Sequence, residues 1–270
     1  MLDKKRKLMI VAAGAVFAAM AFAQAPPAYP PEELNNLVAR IALYPDPLLS
    51  QVLAASTYSD QIPDASAWAN EHSFLHGPAL AAAIQQDQLP WDPSVQALLP
   101  FPSVLQMMAS DMTWTGSLGN AFLADPNGVM NAVQQQRQLA MQYGYLRSNG
   151  QIAVTDSGGY VTILPVNPAF VPVPVYNPAV VFVRPRPGFF VGGAITFGGV
   201  TIGAAFAPWG WGHNYFDWAG HRVIINNHPW GRTWMNRREY VHPYEHVQRF
   251  APGRRVEHHD IHGRHDRGRQ

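Results

Sequence analysis

Four residues, Tyr44-Pro45-Asp46-Pro47, set the tightest local constraint in this chain. Each proline lacks an N–H and pushes the residue before it out of the α region, so no helix runs through them. The same residues are well suited to start one. Asp46 has the side chain of a helix cap, and Pro47 fits the first helical position, where no donor is needed. Leu48, Leu49, Val52 and Leu53 then recur at the spacing of a buried helical face, as Leu34, Leu37, Val38 and Ile41 do upstream. The stretch predicts a corner between two amphipathic helices, with Tyr44 packed across the joint.

The same device recurs. Asp92-Pro93 and Asp125-Pro126 each precede an apolar-periodic run, and Gly77-Pro78 and Phe101-Pro102 open two more. Thr113 is placed to cap the segment holding Leu118, Phe122 and Leu123. About seven or eight short helices are expected between Pro31 and Gly144, packed as one all-α unit. Asp46, Asp92 and Asp125 could also be carboxylates for acid–base work or metal binding. Asp before Pro before an apolar run favours structural helix caps. Tyr44, Tyr58, Trp68, Trp91 and Trp114 are expected in the core, the alternative being an aromatic groove.

At Gly144 the pattern changes from helix to strand. Gln151–Thr155 and Tyr160–Leu164 are β-branched runs around Asp156-Ser157-Gly158-Gly159, a hairpin signal. Phe170–Tyr176 alternates valine with proline, which confines it to an edge strand or an extended segment. Ile195–Ile202 is nearly palindromic about Gly198-Gly199 and predicts a second hairpin turning on the two glycines, the alternative for the uncharged run 188–208 being a packed membrane helix. Trp209, Trp211, Trp218, Trp230 and Trp234 follow among glycines. From Arg237 the chain is rich in Arg, His, Gly and Pro, and from Gly253 on it is expected to be disordered.

The fold class expected is α+β: an N-terminal all-α multi-helix unit, a small β-hairpin-rich Gly/Trp region and a disordered basic tail. Lys4, Lys5, Arg6 and Lys7 precede an uncharged apolar run, Leu8 to Phe22, and Ala21-Phe22-Ala23 fits a small-x-small cleavage site. That pattern predicts a secretory signal peptide cleaved after Ala23, the alternative being an uncleaved N-terminal anchor. The organisation is therefore a signal peptide at 1–23, a linker at 24–31, an α-helical domain at 32–147 and a β segment at 148–183. A Gly/Trp-rich β-hairpin region at 188–236 and a basic tail at 237–270 complete it. No transmembrane span is expected once the signal is removed. The chain has no cysteine, so neither a disulfide nor a cysteine-linked lipid is available to it.

Charge divides the chain. Gln24 to Val183 holds three arginines, no lysine and eleven carboxylates, a net of −8. Arg184 to Gln270 holds twelve arginines and six carboxylates, a net of +6, and nine of the eleven histidines. Such a split suggests different partners for the two parts. The basic part suits anionic envelope polymers or an envelope protein, held by charge. Aromatics lie upstream of the arginines rather than among them, so no nucleic-acid partner is expected.

IALYPDPLLSQVLAAST, LPWDPSVQALLPFPSVLQMM, WTGSLGNAFLADPNGVMNAVQQQR and VPVYNPAVVF, in that order behind a signal peptide, resemble the bacterial family known as domain of unknown function 3300. The likeness covers roughly Pro31 to Val183. It implies an exported protein of Gram-negative bacteria and no established activity. Asn177 stands where an aspartate would also suit the turn.

The residues themselves give no enzyme signature. No Gly-x-Ser-x-Gly elbow, phosphate-binding glycine loop or His-Glu-x-x-His is present, and Ser117 has a glycine on one side only. No cofactor is expected. His258, His259, His262 and His265 are weak metal candidates whose spacing fits no defined zinc site. The expected role is that of a non-enzymatic interaction or scaffold protein of the envelope. The rival is an envelope enzyme acting on glycan or peptide through Asp46 or Asp92.

Overall fold

The computed structural model of the chain describes residues 26–186, 192–244 and 247. The signal-peptide pattern and the four tail histidines lie outside them.

Helices fill the first part. They are α1 (Pro31–Val38), α2 (Asp46–Ser56), α3 (Ile62–Glu71), α4 (Gly77–Gln86), α5 (Pro93–Gln96), α6 (Pro102–Ser110), α7 (Met112–Ala124) and α8 (Pro126–Gln142). Proline stands in the first turn of all but α7, as its missing N–H predicts. α1 packs along α8, α3 against α6, and α2 against both α7 and α5. The apolar faces of α1 and α2 are buried: Leu34, Val38, Leu48, Leu49, Val52 and Leu53 are 0–4% exposed. Tyr44 is buried at the corner between these helices.

Three carboxylates cap helices. Asp92 Oδ1 accepts from the Ser94 N–H at 2.9 Å, Asp125 Oδ1 from Gly128 at 2.8 Å and Asp111 Oδ1 from Trp114 at 3.0 Å. Asp111 thus takes the role expected of Thr113, because α7 begins two residues earlier than a Thr113 cap would set it, at Met112. Asp46 makes no capping bond. The chain turns into α2 at Pro45, whose carbonyl accepts from Leu48 and Leu49, and the Asp46 carboxylate points elsewhere.

Strands β1 (Ile152–Ser157) and β2 (Tyr160–Pro165) form the first hairpin, turning on Gly158 and Gly159. β3 (Phe170–Tyr176) leads to a short helix, α9 (Pro178–Val181), capped by Asn177. β4 (Ile195–Thr201) corrects the expectation of a hairpin at 195–202. It is one strand, antiparallel to β3, with Val173 opposite Gly198 and Pro172 opposite Gly199. The glycines sit mid-strand because the Phe170 ring occupies the space a side chain on Gly199 would need. A hairpin turning on them would leave the valines of β3 without this partner.

The remaining strands, β5 (Tyr215–Asp217), β6 (Arg222–Ile225) and β7 (His228–Pro229), make a three-stranded antiparallel sheet in that order. β5 and β6 lie on α2. Trp209, Trp211, Phe216, Trp218 and Ile225 belong to the same apolar core as the helices. A second cluster joins Leu43 and Ala140 to Ile152, Val161, Ile163 and Val181. The basic stretch expected to be a free tail from Arg237 is packed at its start, where His242 and Tyr244 are 2% and 5% exposed. The His242 ring lies against Trp230, Tyr240 and Tyr244, partners that arginine content alone does not announce. Among the described residues no helix is long and apolar enough to cross a membrane.

Candidate functional site

The N-terminal turn of α2 is where the halves of the chain meet. Arg137, on the inner face of α8, is fully buried and reaches it across the core. Its Nη1 donates to Asp46 Oδ1 at 2.6 Å and to the Val161 carbonyl of β2 at 2.9 Å. Its Nε donates to the Ala42 carbonyl at 2.8 Å, and its Nη2 to the Tyr44 carbonyl at 2.9 Å. The second Asp46 oxygen accepts from Trp218 Nε1 at 3.1 Å, and the guanidinium stacks 5.0 Å from the Trp218 ring. Burial pushes the Asp46 carboxyl up, and Arg137 and the Trp218 N–H pull it back. Both charges are thereby paired and hydrogen-bonded, the condition for holding ions out of water.

Further polar groups of α2 hold the Trp-rich segment. Gln51 Nε2 donates to the Trp209 carbonyl at 3.0 Å. Asn214 Nδ2 donates to the Pro47 carbonyl at 2.6 Å and to Ser50 Oγ at 3.1 Å. Trp211 Nε1 donates to the Ala97 carbonyl at 2.9 Å, and its ring lies 5.0 Å from Phe101.

Asp92 lies in a second polar cluster. Besides the Ser94 amide it accepts from the Ser94 hydroxyl at 2.6 Å, and Tyr58 also bonds to it. Burial pushes the carboxyl up. Arg232 stacks over the Tyr58 ring at 3.6 Å and donates to Thr57 Oγ1 at 2.8 Å. Nearby, His242 Nε2 meets the Ile225 carbonyl at 2.8 Å. A carbonyl only accepts, so Nε2 carries the proton and Nδ1 accepts from the Tyr240 hydroxyl at 2.7 Å. Burial holds His242 down to about 4.

A cleft of about 480 Å³ opens beside Pro47, within the range of about 300–1,000 Å³ that takes a small ligand. Leu164, Val171, Ile202, Ala207 and Trp211 form its walls, and His213 and Asn214 lie on one side. Neither Asp46 nor Asp92 lines it. Asp125 caps α8 on the exposed surface. Among the described residues no group of three His, Asp or Glu side chains is arranged to hold a metal.

Arg137 went unnoticed in the sequence although a signal was present. Val129, Met130, Val133, Arg137 and Ala140 share one helical face, so the arginine falls on an apolar stripe. Gln134 lies on the same face, donating to the Val161 carbonyl at 3.0 Å and accepting its N–H at 2.7 Å.

Comparison with known proteins gives a family without an activity. The chain is 35% identical over 187 residues to the uncharacterized protein YacH of Escherichia coli (strain K12). That match covers 57% of this chain and 30% of the relative, so the chain spans less than a third of that protein. No solved structure matches. The model of the family described as "Protein of unknown function (DUF3300)" matches residues 30–251, which takes in the helices, both halves of the Arg137 network and the cleft, and the chain belongs to that family.

Proposed function

We propose that the protein is an exported, non-enzymatic interaction or scaffold protein of the cell envelope. The observation that carries this reading is the fate of the two carboxylates. Asp46 and Asp92 are 1% and 5% exposed, and hydrogen bonds from the fold itself consume them. A general acid or base must come within hydrogen-bond reach of its substrate. The rival reading, an envelope enzyme acting through either residue, needs a cavity that reaches one of them. The cleft beside Pro47 is apolar, the usual form of a binding site, and neither carboxylate is among its lining residues. Export is supported by the basic, apolar and small-residue succession of residues 4–23. The twelve arginines after Val183 suit an anionic envelope polymer.

Cross-linking and capture from an envelope extract tests the role. Wild type and Asp92→Asn should retain the same partners, since the amide keeps the shape of the cluster. Loss of a measurable glycan- or peptide-cleaving activity in Asp92→Asn, at unchanged melting temperature, would establish the enzyme instead. The location is checked by intact mass: periplasmic protein should begin at Gln24, and full-length chain in the cytoplasm would refute export.

A further inference from the structure

Several of the hydrogen-bonding groups around the cleft are engaged within the fold. Pro47, Pro165 and Pro168 have no N–H to offer. The Ala169 N–H donates to Asn167 Oδ1 at 3.0 Å, and its carbonyl accepts from Ile202 at 2.9 Å. The Gly203 and Ala207 carbonyls accept from Phe206 at 3.4 Å and Gly210 at 2.9 Å. Trp211 Nε1 and Asn214 Nδ2 are engaged as described; Asn214 Oδ1 has no hydrogen-bond partner but is sealed from solvent. What the walls present is carbon, chiefly Leu164, Val171, Ile202, Ala204 and Ala207.

No Asp, Glu, Lys or Arg is among the lining residues. His213 is the titratable side chain there; it is exposed, and its imidazole makes no hydrogen bond among the described residues. These properties select the occupant. A peptide laid in the cleft would bury N–H and C=O groups against walls that are chiefly carbon, at a heavy desolvation cost for each group left unmet. A hydrocarbon chain makes no such demand. A carboxylate at its end would accept from the imidazole N–H at the rim.

Resting on the reading of the protein as a binder rather than an enzyme, we infer that the cleft takes the tail of a free long-chain fatty acid, with its carboxylate at His213. Burial in the cleft should scale with chain length. Each methylene that enters should tighten binding about fourfold. The gain should stop when the cleft is full.

The test is calorimetric titration of the full mature chain with saturated fatty acids from octanoate to tetradecanoate, each below its micelle concentration. Tryptophan emission, to which Trp211 contributes, gives a second readout. The expected result is saturable binding that tightens stepwise with length and then levels off. Leu164→Asp and Ala169→Trp, both at exposed positions, should weaken dodecanoate at least tenfold without lowering the melting temperature. His213→Ala should abolish the preference for dodecanoate over dodecanol. The inference falls if binding is absent or independent of length, or if it is indifferent to the two wall variants. It falls too if an uncharged apolar peptide binds where fatty acids do not, or if wild type shows no preference for the carboxylate. Partner capture that survives while fatty acids fail to bind would overturn this inference and leave the proposed role standing.

Discussion

A guanidinium taken out of water costs several kcal/mol unless its charge and its donors are met. Arg137 meets that demand with one carboxylate and three backbone carbonyls. Removing either member of the pair leaves the other charge buried alone, typically at about 3–5 kcal/mol. Asp46→Asn and Asp46→Ala should therefore both destabilise by that order. A simple cap would distinguish them, since asparagine serves there about as well as aspartate. Arg137→Met should cost a similar amount, and Asp46→Asn combined with Arg137→Met should cost less than the two losses added. Urea unfolding of the four proteins gives the coupling. His242 sets a different expectation. Its folded pKa of about 4 lies below the ordinary 6.5, so the fold prefers the neutral ring. The stability it contributes is complete above about pH 6.5 and falls as pH drops toward 4, by on the order of 3 kcal/mol. Asp92, pushed up by burial, has the opposite sign and loses its contribution as pH rises through its folded pKa. Comparing wild type with His242→Gln between pH 7 and 4 isolates the histidine: the variant should show the flatter slope.

Helix packing makes a sharper claim at the next scale. α7 crosses α2 so closely that a side-chain carbon on Gly119 would collide with the Ser56 carbonyl oxygen. Gly119→Ala should destabilise by about 1–3 kcal/mol, because backbone must move. At Gly116 on the same helix the nearest atom, Ser59 Oγ, would be 3.8 Å from the added carbon. Gly116→Ala should stabilise by roughly 0.5–1 kcal/mol through helix propensity alone. Thermal melts of the pair check both signs. The helices themselves were legible, because proline fixes where a helix can start whatever the tertiary context. The first hairpin was legible for a related reason: Gly158 and Gly159 both take left-handed φ, which the turn requires. β4 was not. A sequence symmetric about two glycines is compatible with a turn or with a strand, and the Phe170 ring that decides the matter comes from 29 residues upstream of Gly199. Asp46 misled in the same way, since the arginine that claims it is 91 residues distant. Local chemistry was readable and long-range partnership was not. The cleft belongs to the second kind, drawing its walls from α2, β2, β3 and the segment after β4.

For the whole molecule, the boundary of the basic tail is the testable point. Stability resides in buried apolar surface, and Tyr244 is still part of it. A chain ending at 251, where the family match ends, should melt with the full protein, whereas a chain ending at 236 should melt lower. Binding to an anionic polymer should weaken in the first truncation and fall with added salt, since exposed charges are screened over about 8 Å at physiological ionic strength.

The Arg137 node also leads to an expectation about the order of assembly. Its partners are spread from Ala42 to Trp218, with a separation of 172 residues between Asp46 and Trp218. Contacts so far apart in sequence close late and slowly. Until β2 and Trp218 arrive, the helices would have to hold an ion pair with part of its coordination missing. A fragment of residues 31–147 should accordingly populate helix without a cooperative transition, which far-ultraviolet circular dichroism during a urea titration can read. A chain threaded through a membrane from its first residue onward would then stay pliable through most of its passage. If the chain is exported as proposed, the lock that makes it rigid would come from a tryptophan in the last quarter of the sequence.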